Sequence, residues 1–335
     1  MHAAVYTEYG APEVVRIEDV TRPAPGPGEI LVKVAHGSVT TADWRLRAAA
    51  FPGVLAVPGR LMFGLRRPRQ PVLGSEFAGT VEALGEGAEG FETGQAVFGF
   101  VMQGAHAEYL VVKAAGAVLP LPEGLALADA AALPFGGLSA LVFLRDHARV
   151  KPGQRVLVIG ASGGVGAYAV QIARIMGAEV TGVASGENAG FLRGLGAAEV
   201  VDYRQTAPRQ MTGRYDAVID TVGAARFGDI RHLLGRGGVF VPLNFGVREI
   251  GQALWRAVAG GPKLAIGVSG DTKADLQVLS GWITEGRLRP VVDRRFPLRR
   301  IREAYAYVEG RHRRGAVLLD IGAKALVQPL RAVLA

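Results

Sequence analysis

The sequence predicts an α/β protein in which a β-barrel-like domain is joined to a doubly wound parallel sheet. Two patterns in the chain carry this prediction. Up to about residue 120, short β-rich runs are separated by Gly and Pro, as in a small barrel. Between 151 and about 267, apolar runs of strand length alternate with segments of helical spacing, which is typical of β-α-β units with right-handed crossovers.

The elements follow from runs that are bounded by turn residues. In the first part, strands are expected at residues 1–6, 14–20, 29–39, 77–85, 96–101 and 107–112. In the second part, strands are expected at residues 155–160, 179–184, 199–203, 216–223 and 237–243. Helices are expected between them at residues 164–177, near Asn188–Gly194 and near Phe227–Leu234.

After about residue 268, the sequence pattern again resembles that of the first part. The predicted elements are a helix at Lys273–Glu285, a strand within 290–298, a helix near Ile301–Glu309 and a strand at 315–321. We expect these elements to close the first domain. The predicted domains are then 1–122 with 268–335, and 123–267, with Gly322–Ala335 as a loosely attached tail.

Composition excludes several classes of protein. The chain has 335 residues, of which 49% are hydrophobic and none is cysteine. It therefore has no disulfide scaffold, thiolate nucleophile, Cys-ligated zinc or iron–sulfur cluster. The net charge is +8, but the six lysines and 32 arginines are scattered rather than gathered into a basic tail, so no nucleic-acid partner is expected.

Nothing in the chain predicts export or membrane insertion. Met1–Tyr9 is typical of a strand rather than a secretory signal. The longest apolar run, Ala130–Leu144, is too short to span a bilayer. We therefore expect a cytoplasmic protein without stable membrane insertion.

The strongest motif is a glycine-rich loop between a predicted strand and a predicted helix. Glycine lets backbone N–H groups approach a diphosphate closely, and the N-terminus of the following helix adds a positive end. In this context the spacing G-x-x-G-x-x-G predicts dinucleotide binding. The candidate residues are Gly160, Ser162, Gly163, Gly164, Val165 and Gly166.

The end of the next strand indicates which dinucleotide is bound. Folds that bind NAD usually place Asp or Glu there to bind the ribose hydroxyls. Here that position is Ala184, followed by Ser185, which can approach a 2′-phosphate without charge repulsion. Glu187 argues against a bound 2′-phosphate, because a carboxylate near a phosphate is unfavourable. NADPH is therefore expected, with NADH as a possible substitute.

With these motifs in view, the chain resembles the medium-chain dehydrogenase/reductase superfamily, and within it the zinc-independent quinone oxidoreductase-like branch. The segments that carry the resemblance are PVLGSEFAGTVEALGEGAEGFETGQAVFG (71–99), AALPFGGLSAL (131–141), VLVIGASGGVGAYAVQIA (156–173) and LGAAEVVDY (195–203). The resemblance implies a GroES-like catalytic domain split around a Rossmann domain, often as a homodimer.

The resemblance also bears on zinc. Zinc-dependent members have a Gly-His-Glu motif where this chain reads Gly74-Ser75-Glu76, and they use cysteines that this chain lacks. No zinc is therefore expected, and Glu76 is expected to be a buried carboxylate paired with an arginine. A small hydrophobic acceptor such as a quinone or conjugated enone suits a site without a Lewis acid, because its charge delocalises as it accepts hydride.

The catalytic candidates lie in the segment that corresponds to the family's Asn-Pro-x-Asp. Thr40 replaces the asparagine that faces nicotinamide and substrate, and its hydroxyl can still donate one hydrogen bond. Asp43 is retained, and capping a helix or pairing with an arginine is expected of it rather than acid–base work. Arg45 stands where some relatives have tyrosine. It would bind a substrate oxygen or a cofactor phosphate, or simply be exposed.

The resemblance implies further contacts to the cofactor. These candidates are Ser139 near the nicotinamide, Val222 and Gly223 near the adenosine ribose, Asn244 and Phe245 near the carboxamide, Tyr203 beside the adenosine and Arg311 near a 2′-phosphate. The apolar and basic segment 48–70 would border the substrate. There Phe51, Met62 and Phe63 would line a pocket, with membrane-surface contact or ordinary packing as alternatives.

The expected function is zinc-independent, NADPH-dependent hydride transfer to quinones or α,β-unsaturated carbonyls. Two alternatives stay open. One is an NAD(P)-dependent alcohol dehydrogenase or ketone reductase, which would need a metal or a general base. The other is a non-catalytic nucleotide- or RNA-binding protein of the same fold, which the basic net charge leaves open.

Overall fold

The computed structural model describes residues 1–51, 53 and 56–322. The predicted tail after Gly322 therefore lies outside the described residues, as do three positions of the segment 48–70. The strands are β1 (His2–Val5), β2 (Arg16–Asp19), β3 (Glu29–Val39), β4 (Glu76–Leu84), β5 (Ala96–Phe100), β6 (Tyr109–Lys113), β7 (Val118–Pro120), β8 (Arg155–Ile159), β9 (Glu179–Ala184), β10 (Glu199–Asp202), β11 (Tyr215–Asp220), β12 (Leu234–Pro242), β13 (Lys263–Leu264), β14 (Val292–Pro297) and β15 (Ala316–Asp320).

The helices connect these strands. They are α1 (Thr41–Ala48), α2 (Ala56–Phe63), α3 (Leu127–Ala130), α4 (Pro134–Val142), α5 (Gly166–Ile175), α6 (Ala189–Leu195), α7 (Phe227–Ile230), α8 (Val247–Ala259), α9 (Lys273–Thr284) and α10 (Ile301–Glu309). Within the described chain, none of them is long and apolar enough to cross a bilayer.

The first sheet forms the domain that the resemblance predicts to be GroES-like. Its strand order is β14-β15-β3-β4-β5-β7, and β6 pairs with β3. The long strand β3 is antiparallel to β4, β6 and β15, with Val39 opposite Val317. The C-terminal strands β14 and β15 thus pair into the sheet of the N-terminal part. The domain limits near residues 122 and 268 stay a prediction.

The second sheet is parallel and has the strand order β10-β9-β8-β11-β12-β13. This is the order of the Rossmann fold, in which ligands bind where the order reverses, at the carboxyl ends of the first and fourth strands. Here those strands are β8 and β11. Val156, Leu157 and Val158 of β8 have no exposed surface, as expected of a strand covered on both faces.

The two domains meet around a shared apolar cluster. It joins β8 and α5 to residues of the first sheet such as Phe98 and Leu318. Within the first domain, α1 is held on α10. The guanidinium of Arg47 is fully buried, donates to Glu309 and lies 5.0 Å from the ring of Tyr305. These contacts fix α1, and hence Thr40 to Arg45, against α10.

Most predicted strands and the helices α5, α6, α9 and α10 are confirmed. The helix predicted near Phe227–Leu234 is shorter, because α7 ends at Ile230 and a 3₁₀ turn leads to Leu234, which pairs with Tyr215 as the start of β12. Helix α8 was not predicted. Its sequence is strongly amphipathic, and its apolar residues Leu254, Trp255 and Val258 face solvent.

Candidate cofactor cleft and active site

A cleft of about 830 Å³ opens at the carboxyl ends of β8, β9 and β11. One wall is the glycine-rich loop Gly160–Val165. The opposite wall comes from α1, through Trp44 and Arg45, and from Arg311–Arg314 after α10. The cleft therefore lies between the domains, and its size suits a large organic ligand.

The glycine-rich loop has the geometry of a phosphate cradle. Gly160 has a φ of +77°, and a Cβ at Gly166 would lie 2.1 Å from the carbonyl oxygen of Gly160. Both positions thus require glycine for the turn itself. The N–H groups of Gly164 and Val165 have no hydrogen-bond partner among the described residues and precede the N-terminus of α5. These features fit the diphosphate of a dinucleotide.

The loop after β9 would hold the adenosine end. β9 ends at Ala184 without an acid, and the hydroxyl of Ser185 accepts a hydrogen bond from Asn188 at 2.8 Å. Glu187 is not isolated, because Arg204 donates to its carboxylate at 2.8 Å and Arg314 to its carbonyl at 3.3 Å. The carboxylate that opposes a 2′-phosphate is therefore paired with an arginine.

The loop after β11 is shaped by a residue that sequence reasoning missed. Asp220 is fully buried, and its carboxylate accepts the N–H groups of Val222 (3.0 Å), Gly223 (2.8 Å) and Ala225 (2.8 Å). Burial raises the pKa of Asp220, and these hydrogen bonds oppose that rise. An aspartate that ends an apolar strand and is followed by Gly three residues later is the signal that was available.

The hydroxyl of Thr40 is committed to the protein itself. It donates to Asp43 Oδ2 at 2.7 Å and accepts from the Asp43 N–H at 3.2 Å, while the same carboxylate accepts the Thr40 N–H at 2.7 Å. This capping box begins α1. The expectation that the Thr40 hydroxyl donates to substrate therefore gives way to a structural role, because its one proton is already used. The capping expected of Asp43 is observed.

Substitutions at Thr40 distinguish these roles. Thr40→Val should cost about 1–2 kcal/mol of folding free energy, because the cap of α1 is lost. Thr40→Ser keeps both hydrogen bonds and should retain wild-type stability and turnover. Denaturant unfolding and kcat, measured on both variants, check this. A Thr40→Val enzyme that is fully stable but inactive would contradict the capping role.

Behind Thr40 lies a small cavity of about 10 Å³, which Glu76, Ser38 and Arg313 also line. Contrary to expectation, Glu76 forms no salt bridge with any arginine in the part of the chain that the structure describes. Its carboxyl accepts from the Ser38 hydroxyl and, at 2.6 Å, from the Phe135 N–H. Burial raises the pKa of Glu76 to about 8, and the more distant charge of Arg313 only moderates this.

These residues do not fit a zinc ion. Zinc sites in proteins use at least three ligands, mostly His and Cys. At the corresponding place this chain offers the hydroxyls of Thr40 and Ser75, 3.5 Å apart, and a carboxyl whose two oxygens already accept hydrogen bonds. Across the described residues, no three His, Cys, Asp or Glu side chains come together as a metal site.

The structure brings many of the proposed contact residues together. Those that line the cleft are Arg45, Gly160, Ser162, Gly163, Gly164, Val165, Ser185, Tyr203, Val222, Gly223, Asn244 and Arg311. Asp43 and Ser139 are buried away from it, Gly166 packs on the loop, and Phe245 is not among the lining residues.

The proposed substrate pocket is not assembled around the cleft. The rings of Phe51 and Phe63 stack 5.7 Å apart and pack against the core that includes Leu46, while Met62 is 58% exposed on α2. None of these three lines the cleft. The apolar composition of the segment therefore reflects local packing and an exposed helix face.

Several cleft residues were missed by sequence reasoning. They are Trp44, Asn188, Arg204, Thr221, Arg313 and Arg314. Arg313 is almost fully buried, donates to the carbonyl of Val39 and the hydroxyl of Thr41, and lies beside Gly164. It thus joins the start of α1 to the phosphate loop. Arg314 rather than Arg311 reaches the loop after β9, since the Arg311 guanidinium lies over Trp44.

Comparisons with known proteins agree with this architecture. The alcohol dehydrogenase GroES-like domain family matches residues 26–123, and the zinc-binding dehydrogenase family matches residues 195–319. The human quinone oxidoreductase is 31% identical over 322 residues, which cover 91% of this chain and 93% of that protein. The chloroplastic quinone-oxidoreductase homolog of Spinacia oleracea is 29% identical over 334 residues, covering 96% and 98% of the two chains.

A solved structure gives the same result. The quinone oxidoreductase from Coxiella burnetii has a TM-score of 0.83 and 28% identity, with 96% of this chain and 99% of that chain covered. The chain therefore belongs to the medium-chain dehydrogenase/reductase superfamily, among the homologues of quinone oxidoreductases.

Proposed function

We propose that this protein is a zinc-independent, NADPH-dependent reductase that transfers hydride to quinones or α,β-unsaturated carbonyls. The observation that supports the proposal is a dinucleotide-sized cleft next to which hydroxyls stand in place of metal ligands. Thr40, Ser75 and Glu76 are buried beside a small cavity that shares Gly164 and Arg313 with the cleft, and we call this place the reaction end. Both oxygens of Glu76 already accept hydrogen bonds there.

The dinucleotide, when bound, supplies the hydride. Gly164 and Val165 would bind its diphosphate, Ser185 and Arg204 its 2′-phosphate, and Asn244 would face the nicotinamide half. An enone would gain the hydride at its β-carbon and a proton at its α-carbon. We propose that water supplies this proton, because the Thr40 hydroxyl donates to Asp43.

Chelation provides the test of this proposal. After exhaustive treatment with a chelator, NADPH oxidation would be followed with a small quinone, an enone and a ketone in parallel, and with NADH as the control. Turnover of the quinone or enone is the expected result. Loss of all activity on chelation, or turnover of the ketone alone, would favour an alcohol dehydrogenase. Tight NADPH binding without turnover would favour a binding protein.

The choice of NADPH leads to a charge test at the loop after β9. Arg204→Ala should raise the KM for NADPH on the order of tenfold and leave the KM for NADH nearly unchanged, because one charge-assisted contact to the 2′-phosphate is lost. Glu187→Gln should lower the KM for NADPH, because a carboxylate is removed. Arg236→Ala, an exposed arginine away from the cleft, is the matched control. Equal effects on both cofactors would contradict the assignment.

We also propose a cytoplasmic homodimer that acts on small-molecule acceptors. The exposed apolar face of α8, which includes Leu254, Trp255 and Val258, supports association with a second copy. Sedimentation measurements on the wild type and on Trp255→Glu would test the dimer.

A further inference from the structure

The half of the cleft that faces Asn244 carries two arginines without an acidic partner. Arg45 donates to Asn244 Oδ1 at 2.6 Å, and its guanidinium lies 5.7 Å from the centre of the Trp44 ring. The guanidinium of Arg311 lies 6.0 Å from the same ring. Among the described residues, neither arginine forms a salt bridge.

The acidic side of the cleft is elsewhere. Glu187 is the one carboxylate among the described residues that line it, and it lies in the loop after β9. Asn244 follows β12. The strand order places β12 three positions from β9, which is about 14 Å at the usual spacing of strands. Arg45 therefore lies far from the adenosine end, on the side where the acceptor would meet the nicotinamide.

The cofactor phosphates have other partners. The unpaired N–H groups of Gly164 and Val165 serve the diphosphate, and Arg313 reaches within 3.1 Å of the place that a Cβ of Gly164 would occupy. Arg204 and Arg314 meet at Glu187 beside the adenosine end. This leaves Arg45 and Arg311 without a phosphate that they would need to bind.

The two arginines repel each other. Burial and the positive charge of Arg311 lower the pKa of Arg45. An anion placed between them would relieve both effects. A carboxylate suits the flat, two-pronged guanidinium, which binds it through two parallel hydrogen bonds.

We propose that Arg45 and Arg311 form a subsite for a carboxylate of the acceptor, so that the preferred substrates are conjugated enones or quinones that carry a carboxylate. This inference rests on the proposed reductase function and names its substrate class. Trp44, which both guanidinium groups approach, would form the apolar wall beside the carboxylate-bearing part of the substrate.

The test compares a charged acceptor with its neutral ester. The probes are trans-4-oxo-2-pentenoate and its methyl ester, each assayed with saturating NADPH. The ratio of kcat/KM for the acid to that for the ester should fall at least tenfold in Arg45→Met and be partly restored in Arg45→Lys. Using the ratio removes the difference in reactivity between acid and ester. Arg299→Met, an exposed arginine outside the cleft, removes the same charge and should leave the ratio unchanged.

Two results would overturn the subsite. One is an unchanged ratio in Arg45→Met. The other is a change confined to the KM for NADPH, measured by varying NADPH with either acceptor, which would make Arg45 a cofactor contact. A binding readout separates this inference from the reductase function. Calorimetry of 4-oxopentanoate with the NADP⁺ complex should show binding in the wild type and at least tenfold weaker binding in Arg45→Met. Binding of this kind without turnover would refute the reductase but support the subsite, whereas no binding would refute the subsite.

Discussion

Gly163→Val should weaken NADPH binding by at least about 100-fold while leaving the protein folded. A Cβ at Gly163 meets only the carbonyl oxygen of Gly160, at 3.4 Å, so the folded chain accommodates a side chain there. The branches of valine would instead occupy space next to the unpaired N–H groups of Gly164 and Val165. A phosphate needs that space, and a 100-fold loss corresponds to about 3 kcal/mol of binding free energy.

Two control variants make this result specific. Gly228→Val is a valine placed in open space outside the cleft, and it should leave both stability and NADPH affinity unchanged. Gly166→Val is the opposite case, because its Cβ would lie 2.1 Å from a backbone oxygen and should destabilise the fold. Calorimetric titration with NADPH and thermal unfolding would be measured on all three variants. Wild-type affinity in Gly163→Val would refute the phosphate-loop assignment.

The parts of the fold that the sequence predicted are those with a strong local cause. The loop at Gly160–Gly166 is fixed by glycine and by its position between a buried strand and a helix. The cap of α1 includes Asp43, for which capping a helix was one of two expected roles, whereas the part of Thr40 in this cap was not predicted. In these places a local pattern and the final structure depend on the same few residues.

The parts that were missed depend on residues far apart in the sequence. Arg45 meets Asn244 across 199 positions, and Arg313 meets Thr41 across 272. The first contact crosses between the two domains, and the second joins the two distant chain segments of the first domain, so no local pattern reveals them. For the same reason, the sequence placed Arg311 at the adenosine end although Arg314, three residues later, reaches it. The apolar residues of α8 and Met62 were missed for a different reason. They are exposed to solvent, whereas a hydrophobic pattern predicts burial.

Glu76 should make the protein less stable as the pH rises from about 4.5 to about 8. In the unfolded chain this carboxyl releases its proton near its ordinary pKa of 4.5, whereas burial in the folded protein raises the pKa to about 8. Between these values the folded state binds one proton more than the unfolded state. The unfolding equilibrium constant should therefore rise about tenfold per pH unit from this group alone. Its contribution is complete below about pH 4.5 and is lost as the pH rises through 8.

Glu76→Gln isolates this effect from all other titrating groups. The amide still offers an oxygen to the Phe135 N–H, and the Ser38 hydroxyl can turn to accept from the amide nitrogen. Denaturant unfolding of both proteins across pH 4–9 should show the variant gaining stability relative to the wild type as the pH rises. Glu89→Gln, the same substitution at an exposed glutamate, is the control, and its stability should depend on pH as that of the wild type does. If the stability of Glu76→Gln depends on pH as that of the wild type does, the Glu76 carboxyl is ionised in the folded protein. The reaction end would then carry a negative charge, which would oppose the electron-rich product of hydride transfer.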